Sequence, residues 1–209
     1  MPKTPDLPKL RRHWDKQSVS YDKKMAFAER KFFGDTRRWV CEQARGEVLE
    51  VAVGTGLNLG WYPAETSLTG IDLSPEMLKL ARRRAGESGH EVDLRLGDAQ
   101  ALEFDDGSFD AVVCTFSLCA VPDDRGAVAE MVRVLRGGGL LLLADHVVST
   151  SAPIRALQAA IEVVSVRVGN ENFRRRPIRH VRGAGLDVEK HDRFKLGLIE
   201  RLAARKPRA

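Results

Sequence analysis

Four carboxylates stand at the ends of apolar runs. Glu50 lies within Glu47–Val53, Asp72 closes Ser67–Asp72, Asp98 follows Val92–Leu96, and Asp145 closes Gly139–Asp145. The first run leads into Gly54-Thr55-Gly56, whose glycines let a backbone approach a ligand closely. Asp72, 16 residues beyond Gly56, is placed to accept from both hydroxyls of a ribose. Taken alone, it reads equally as a cap for the helix starting at Ser74-Pro75. Asp98 can accept from an exocyclic amino group, which suggests adenine. Gly60 is not where the third glycine of a dinucleotide loop belongs, and no Gly-Lys-Ser/Thr occurs, so the turn lacks what a pyrophosphate needs. Ribose and adenine contacts, with acidic Glu50 below the loop, suit a cationic adenosyl ligand. His146 and Asp145 are the candidates for a general base; neighbours on a strand face opposite ways, so one of them reaches the crevice. Packed or capping roles compete for both.

The remaining groups carry weaker signals. His13, His90, His180 and His191 show no partner pattern, and Cys119 reads as a buried thiol. Cys114 and Cys119 are five apart, which does not suit a metal site, and no metal is expected.

These residues need a frame. Strands are expected at Glu47–Val53, Ser67–Asp72, Val92–Leu96, Phe109–Thr115 and Gly139–Asp145, with helices at Pro75–Gly86 and Ala127–Leu135. Ser74 and Pro75 form a helix start, and Gly137-Gly138-Gly139 a helix stop. Short strands, apolar throughout and separated by helices, imply a parallel sheet covered on both faces, hence a doubly wound α/β fold. Arg11 to Ala44 reads as helical with a break at Gly34-Asp35. The expected closing elements are helices Ile154–Val168 and Arg176–Ala184 and strands Leu186–His191 and Arg193–Leu202. Residues 1–10 read as a disordered arm and 11–204 as one domain: an N-terminal helical lid (11–45), a ligand-binding core (46–146), and lid helices with closing strands (147–204).

The 209 residues suffice for one sizeable domain. No 18-residue apolar run occurs, and no apolar segment follows the basic N-terminus, so neither a membrane span nor a signal peptide is expected. Three cysteines, an odd number, fit a reducing cytoplasm. The net charge of +5 is spread over patches at Lys9–Arg12, Arg82–Arg84, Arg174–Arg176 and Arg201–Arg208. Aromatics, at 6%, are not interleaved with these patches, so no nucleic-acid partner is expected. A peripheral contact with an anionic membrane stays open.

The segments "VLEVAVGTG", "TGIDLSPEMLKLAR", "LRLGDAQALEFDDGSFDAVVC" and "EMVRVLRGGGLLLLADH" resemble, in order and spacing, the successive motifs of class I S-adenosylmethionine-dependent methyltransferases. "VCTFSLCAVPD" and "ADH" are most similar to a branch containing alkyl-thiol S-methyltransferases and bacterial phosphatidylethanolamine N-methyltransferases. The resemblance implies a Rossmann-like, mostly parallel seven-stranded sheet with an antiparallel last strand. It implies S-adenosylmethionine as cofactor and S-adenosylhomocysteine as product. Carried over by position, Gly54 and Gly56 line the methionine moiety, with Ala52 standing where the family has its first glycine, and Glu50 supports the loop. Asp72 binds the ribose, Leu73 and Met77 flank the adenine, and Asp98 with the Ala99 backbone meets its amino group. Cys114 and Thr115 hold the methionine end, and Tyr21 closes over the cofactor.

The expected acceptor is a small hydrophobic or lipid-like molecule, held between the N-terminal region and the Ile154–Arg176 segment. A phospholipid amine methylated at a membrane surface is the runner-up. Nucleic-acid methylation is disfavoured, since "CTFS" stands where an Asn/Asp-Pro-Pro-aromatic motif would follow the fourth strand. A non-catalytic adenosyl-ligand binder and a nicotinamide-using fold relative are the non-methyltransferase alternatives. The sequence is compatible with a monomer or a homodimer.

Overall fold

The computed structural model describes residues 6–88, 91–169 and 171–208. His90 and the first five residues of the expected arm lie outside them. The central strands are β1 (Glu47–Val51), β2 (Ser67–Asp72), β3 (Val92–Leu96), β4 (Phe109–Thr115) and β5 (Leu135–His146), followed by β6 (Asp187–Phe194) and β7 (Ile199–Arg205). They form one seven-stranded sheet ordered β3-β2-β1-β4-β5-β7-β6. β1 pairs in parallel with β2 and β4, and β4 with β5, while β7 enters antiparallel between β5 and β6. This is the expected doubly wound α/β sheet with an antiparallel last strand.

The apolar strand runs are explained by coverage on both faces. Leu49, Val51, Val112, Cys114, Leu141 and Leu143 point into one hydrophobic layer. Their alternate neighbours Val48, Ala111, Val113, Leu142 and Ala144 point into the other. The helices are α1 (Leu7–Ala28), α2 (Thr36–Cys41), α3 (Pro75–Ser88), α4 (Asp124–Val134), α5 (Ala152–Gly169) and α6 (Pro177–Gly183). α1 passes at its end into one wider π turn, Glu29–Phe33, and Gly34 breaks the path at φ +57°.

Several boundaries differ from expectation for identifiable reasons. Leu7–Leu10 is helical rather than part of a disordered arm, because Asp6 caps the Lys9 N–H at 3.0 Å and Pro8 sits in the first turn. α4 begins at Asp124 because Asp123 accepts from the Gly126 N–H at 2.9 Å. Gly137–Gly139 does not follow a helix stop but belongs to β5, which begins at Leu135 with extended backbone. Gly139 admits β4 closely there: a Cβ would stand 2.9 Å from the Asp110 carbonyl oxygen. The closing hairpin turns later than expected, through Lys195, Leu196 and Gly197, all at positive φ. Among the described residues, no helix is long and apolar enough to cross a membrane.

Candidate functional site

β1 ends at Val51, and the chain then reverses through Ala52 at φ +58° and Gly54 at φ +57°. Gly54 faces open space, with nothing within 4 Å of where a Cβ would lie, so its backbone is exposed to whatever occupies the crevice. Ala52 adopts the left-handed conformation with a methyl group. Such a conformation costs a residue bearing a Cβ about 1 kcal/mol relative to glycine. Ala52→Gly will therefore stabilise the protein by about 1 kcal/mol, read as a rise in thermal midpoint, unless the strain is relieved elsewhere.

Asp72, at the end of β2, holds this turn. Its Oδ2 accepts from the Gly54 N–H at 2.8 Å, and its Oδ1 accepts from the Ser74 N–H at 2.8 Å. Burial raises its pKa to about 6, against the pull of these backbone donors. The capping reading of Asp72 does not hold: Ser74 caps α3, accepting from the Met77 N–H at 3.2 Å. Asp98 accepts from the Gln100 N–H at 2.9 Å and side-chain amide at 3.0 Å, which fixes its carboxylate beside Ala99.

Around these groups lies a cavity of about 700 Å³, counting its open mouth. Tyr21, Ala52, Gly54, Asp72, Leu73, Met77, Asp98 and Ala99, eight of the candidate ligand residues, line it. Its lid is α1, through Leu7, Leu10 and Trp14, and its far wall is the segment from Phe116 to Pro122. The α1 lid is tied to the core by Asp15, which accepts from Ser74 Oγ at 2.5 Å, and by Asp22, which accepts from Thr55 Oγ1 at 2.6 Å and pairs with Arg84 at 2.7 Å.

Four expected ligand residues stand behind this wall rather than in it. Gly56 serves packing: a Cβ would lie 2.8 Å from Leu59 Cδ1 and 3.2 Å from the Ala81 Cα. Cys114 is buried in the sheet, where burial drives its thiol pKa well up. Thr115 Oγ1 accepts from Asn58 Nδ2 at 3.0 Å and from Arg37 Nη1 at 3.1 Å. Glu50 supports the loop as expected, accepting from Asn58 at 2.7 Å and the Tyr62 hydroxyl at 2.9 Å; burial pushes its pKa up to about 7.

Arg37 is the residue that sequence reading missed. It is buried, pairs with Glu29 at 2.5 Å, donates to Asn58 at 2.9 Å and lies over the Phe116 ring. Phe116, at φ +54°, stacks on Phe33 at 3.9 Å. Burial raises the Tyr21 pKa to about 12, against the pull of the Arg37 charge, so Tyr21 presents a neutral phenol. The signal lay in "DTRRWV", where one arginine of a helical pair falls on the inward face, but only the packed helix shows which.

Asp145 and His146 do not line the cavity. Asp145 is buried and accepts from the N–H groups of Cys119 at 3.2 Å and His146 at 2.8 Å. Its Oδ1 lies 3.4 Å from His146 Nδ1, and the imidazole leans on Phe173. Among the described residues, His146 Nε2 is buried without a hydrogen-bond partner. Donor atoms of Cys119, Asp145 and His146 converge within 4.8 Å. Burial and the Asp145 charge drive the Cys119 thiol pKa well up, so it stays protonated.

The residues present fit an adenosyl sulfonium ligand: the open Gly54 backbone and the carboxylates of Asp72 and Asp98 meet in one crevice at the C-terminal strand ends. Residues 49–143 match the family model described as a methyltransferase domain. Phosphatidylethanolamine N-methyltransferase of Cereibacter sphaeroides is 43% identical over 118 residues, covering 56% of this chain and 58% of that one. Human thiol S-methyltransferase TMT1A is 32% identical over 133 residues, covering 62% and 54%. The chain spans little more than half the length of these relatives. A structure from Bacillus halodurans C-125, described as a candidate methyltransferase, superposes with TM-score 0.70 at 21% identity, covering 83% of this chain and 100% of the other. The [4+2]-cyclase SpnF superposes with TM-score 0.68 at 20% identity over 84% and 80%, so the fold alone does not dictate the reaction.

Proposed function

We propose that the protein is an S-adenosylmethionine-dependent methyltransferase acting on a small, hydrophobic or lipid-like acceptor. The observation that carries this reading is the convergence of Gly54, Asp72 and Asp98 on one cavity beneath α1. When bound, S-adenosylmethionine supplies a methyl group already activated for in-line displacement, and S-adenosylhomocysteine remains. The chain's own task is then orientation and exclusion of water. Trp14, Leu7 and Leu10 cover the cavity with apolar surface, and Asp72 and Asp98 fix the nucleoside. The similarity to phosphatidylethanolamine and thiol methyltransferases supports an acceptor that is lipid-like or a thiol. A phospholipid amine methylated at a membrane surface is the second reading, favoured by the first of these relatives. Calorimetry with S-adenosylhomocysteine and with NAD tests the cofactor: binding of NAD alone would defeat the proposal. A labelled-methyl screen over thiols, amines, phenols and lipids identifies the acceptor.

The expected base pair does not reach an acceptor in this cavity: His146 Nε2 is buried, its ring leans on Phe173, and neither His146 nor Asp145 lines the wall. We infer that transfer proceeds without His146 as the base. His146→Ala will keep turnover of an amine or phenol within about threefold of wild type, checked with the labelled-methyl assay. A loss of about 100-fold would restore the role.

A further inference from the structure

α5 is a helix turned inside out. Leu157, Ile161, Val164 and Val168 are between 47% and 62% exposed, and their spacing puts them in one stripe along the helix. Exposed apolar stripes of this length mark interaction surfaces. The charged residues exposed on α5, among those described, are Arg155 and Arg167. Its one acid, Glu162, is turned inward and paired with Arg174.

The neighbouring helix repeats this charge arrangement. α1 packs against α5, and its acids Asp15 and Asp22 are drawn toward Ser74, Thr55 and Arg84. Its exposed positions carry Arg12, Lys16 and Lys23 instead. Arg155 lies on the far side of the helix, donating to the Thr150 carbonyl at 2.8 Å, whereas Arg167 borders the stripe. An apolar stripe bordered by an arginine, beside a cationic helix, has the composition of an element lying in a lipid headgroup region. A second copy of the chain is the poorer occupant, because a two-fold contact would bring the same cationic flanks together.

We propose that the outer face of α5 docks on an anionic phospholipid bilayer, with Leu157, Ile161, Val164 and Val168 entering the interface and Arg167 meeting headgroup phosphates. This deepens the lipid-like acceptor reading and rests on it for its purpose. It places a membrane beside the α1 lid, so that an acceptor can pass from lipid to cavity without crossing water.

Co-sedimentation of the full chain with vesicles at low salt tests it. The wild type should pellet with phosphatidylcholine–phosphatidylglycerol vesicles and stay in solution with phosphatidylcholine alone. The double variant Ile161→Glu, Val164→Glu should lose binding by at least about tenfold. Arg167→Glu should weaken the preference for anionic lipid by at least about fivefold. These positions are exposed, and an unchanged circular dichroism spectrum and S-adenosylhomocysteine affinity will show that the variants are folded. Three results overturn the proposal: a wild type that ignores anionic vesicles, an Ile161/Val164 variant that pellets like wild type, or a wild-type dimer that this variant converts to monomer, which would assign the face to a second copy. Vesicle binding without S-adenosylhomocysteine binding would defeat the methyltransferase reading and leave the docking surface standing.

Discussion

Asp72→Asn will weaken S-adenosylhomocysteine binding by about 100-fold. The carboxylate already accepts the Gly54 and Ser74 N–H groups, one on each oxygen, and these bonds aim the remaining lone pairs into the cavity. An amide cannot accept on both sides, so one backbone donor is left facing an NH₂ group and the turn itself loosens. Hydrogen bonds to a charged acceptor contribute about 1.5–3 kcal/mol each, and losing about 3 kcal/mol corresponds to roughly two orders of magnitude in affinity. The pH profile carries a second signature. Burial holds the free Asp72 pKa at about 6, and ribose hydroxyls favour its ionised form. Wild-type affinity will therefore be full above this value and fall as pH drops through it, while the Asn variant lacks that step. Calorimetry at pH 5 and pH 8 reads both effects. Unchanged affinity at pH 8 would reduce Asp72 to a structural brace.

The largest effect on stability is expected at Arg37. Arg37→Met leaves Glu29, Asn58 and Thr115 without their shared donor and removes the guanidinium from the Phe116 ring. Breaking a buried ion pair from one side costs about 3–5 kcal/mol. Glu29 is partly exposed and can recover water, so about 3 kcal/mol is the expected loss, measured by denaturant unfolding. Because Thr115 and Asn58 connect Arg37 to Glu50 under the turn, cofactor affinity should fall as well. A loss below about 0.5 kcal/mol would show that the arginine is dispensable.

The parts of this molecule legible in its sequence are those governed by local chemistry. Strands β2, β3 and β4 have the expected bounds: burial on both faces writes the apolar run of β4, while the edge strand β3 alternates half-buried Val92 and Leu94 with exposed Asp93 and Arg95. Ser74 and Pro75 mark the start of α3 by capping chemistry that acts over three residues. Asp72 and Asp98 could be read because a strand end leads straight into the crevice. The failures come from long-range packing. Nothing local to Gly56 says that α3 will press against it, or that Thr115 will be claimed by Arg37, which lies 78 residues away. The closing hairpin was misplaced because "FKLGLI" lacks the Asn-Gly or Asp-Gly pair that announces a tight turn. Residues 11 to 44 read as helical, but the cavity lining on α1 emerges only once Asp15 and Asp22 dock on the core.

Those two aspartates have a kinetic consequence. Ser74 and Thr55, their partners, flank the ligand turn and the entrance to α3, so the cover over the cavity is fastened at the same place where the nucleoside is held. On the proposed function, a nucleoside bound here cannot leave sideways past α1 while both fastenings are closed. Its residence time would then be governed by the opening frequency of one helix, and its affinity by Asp72 and Asp98. Two quantities that usually change together are assigned here to different segments of the chain, so the dwell time of a spent cofactor can be altered at Asp15 or Asp22 without redesigning the pocket that recognises it.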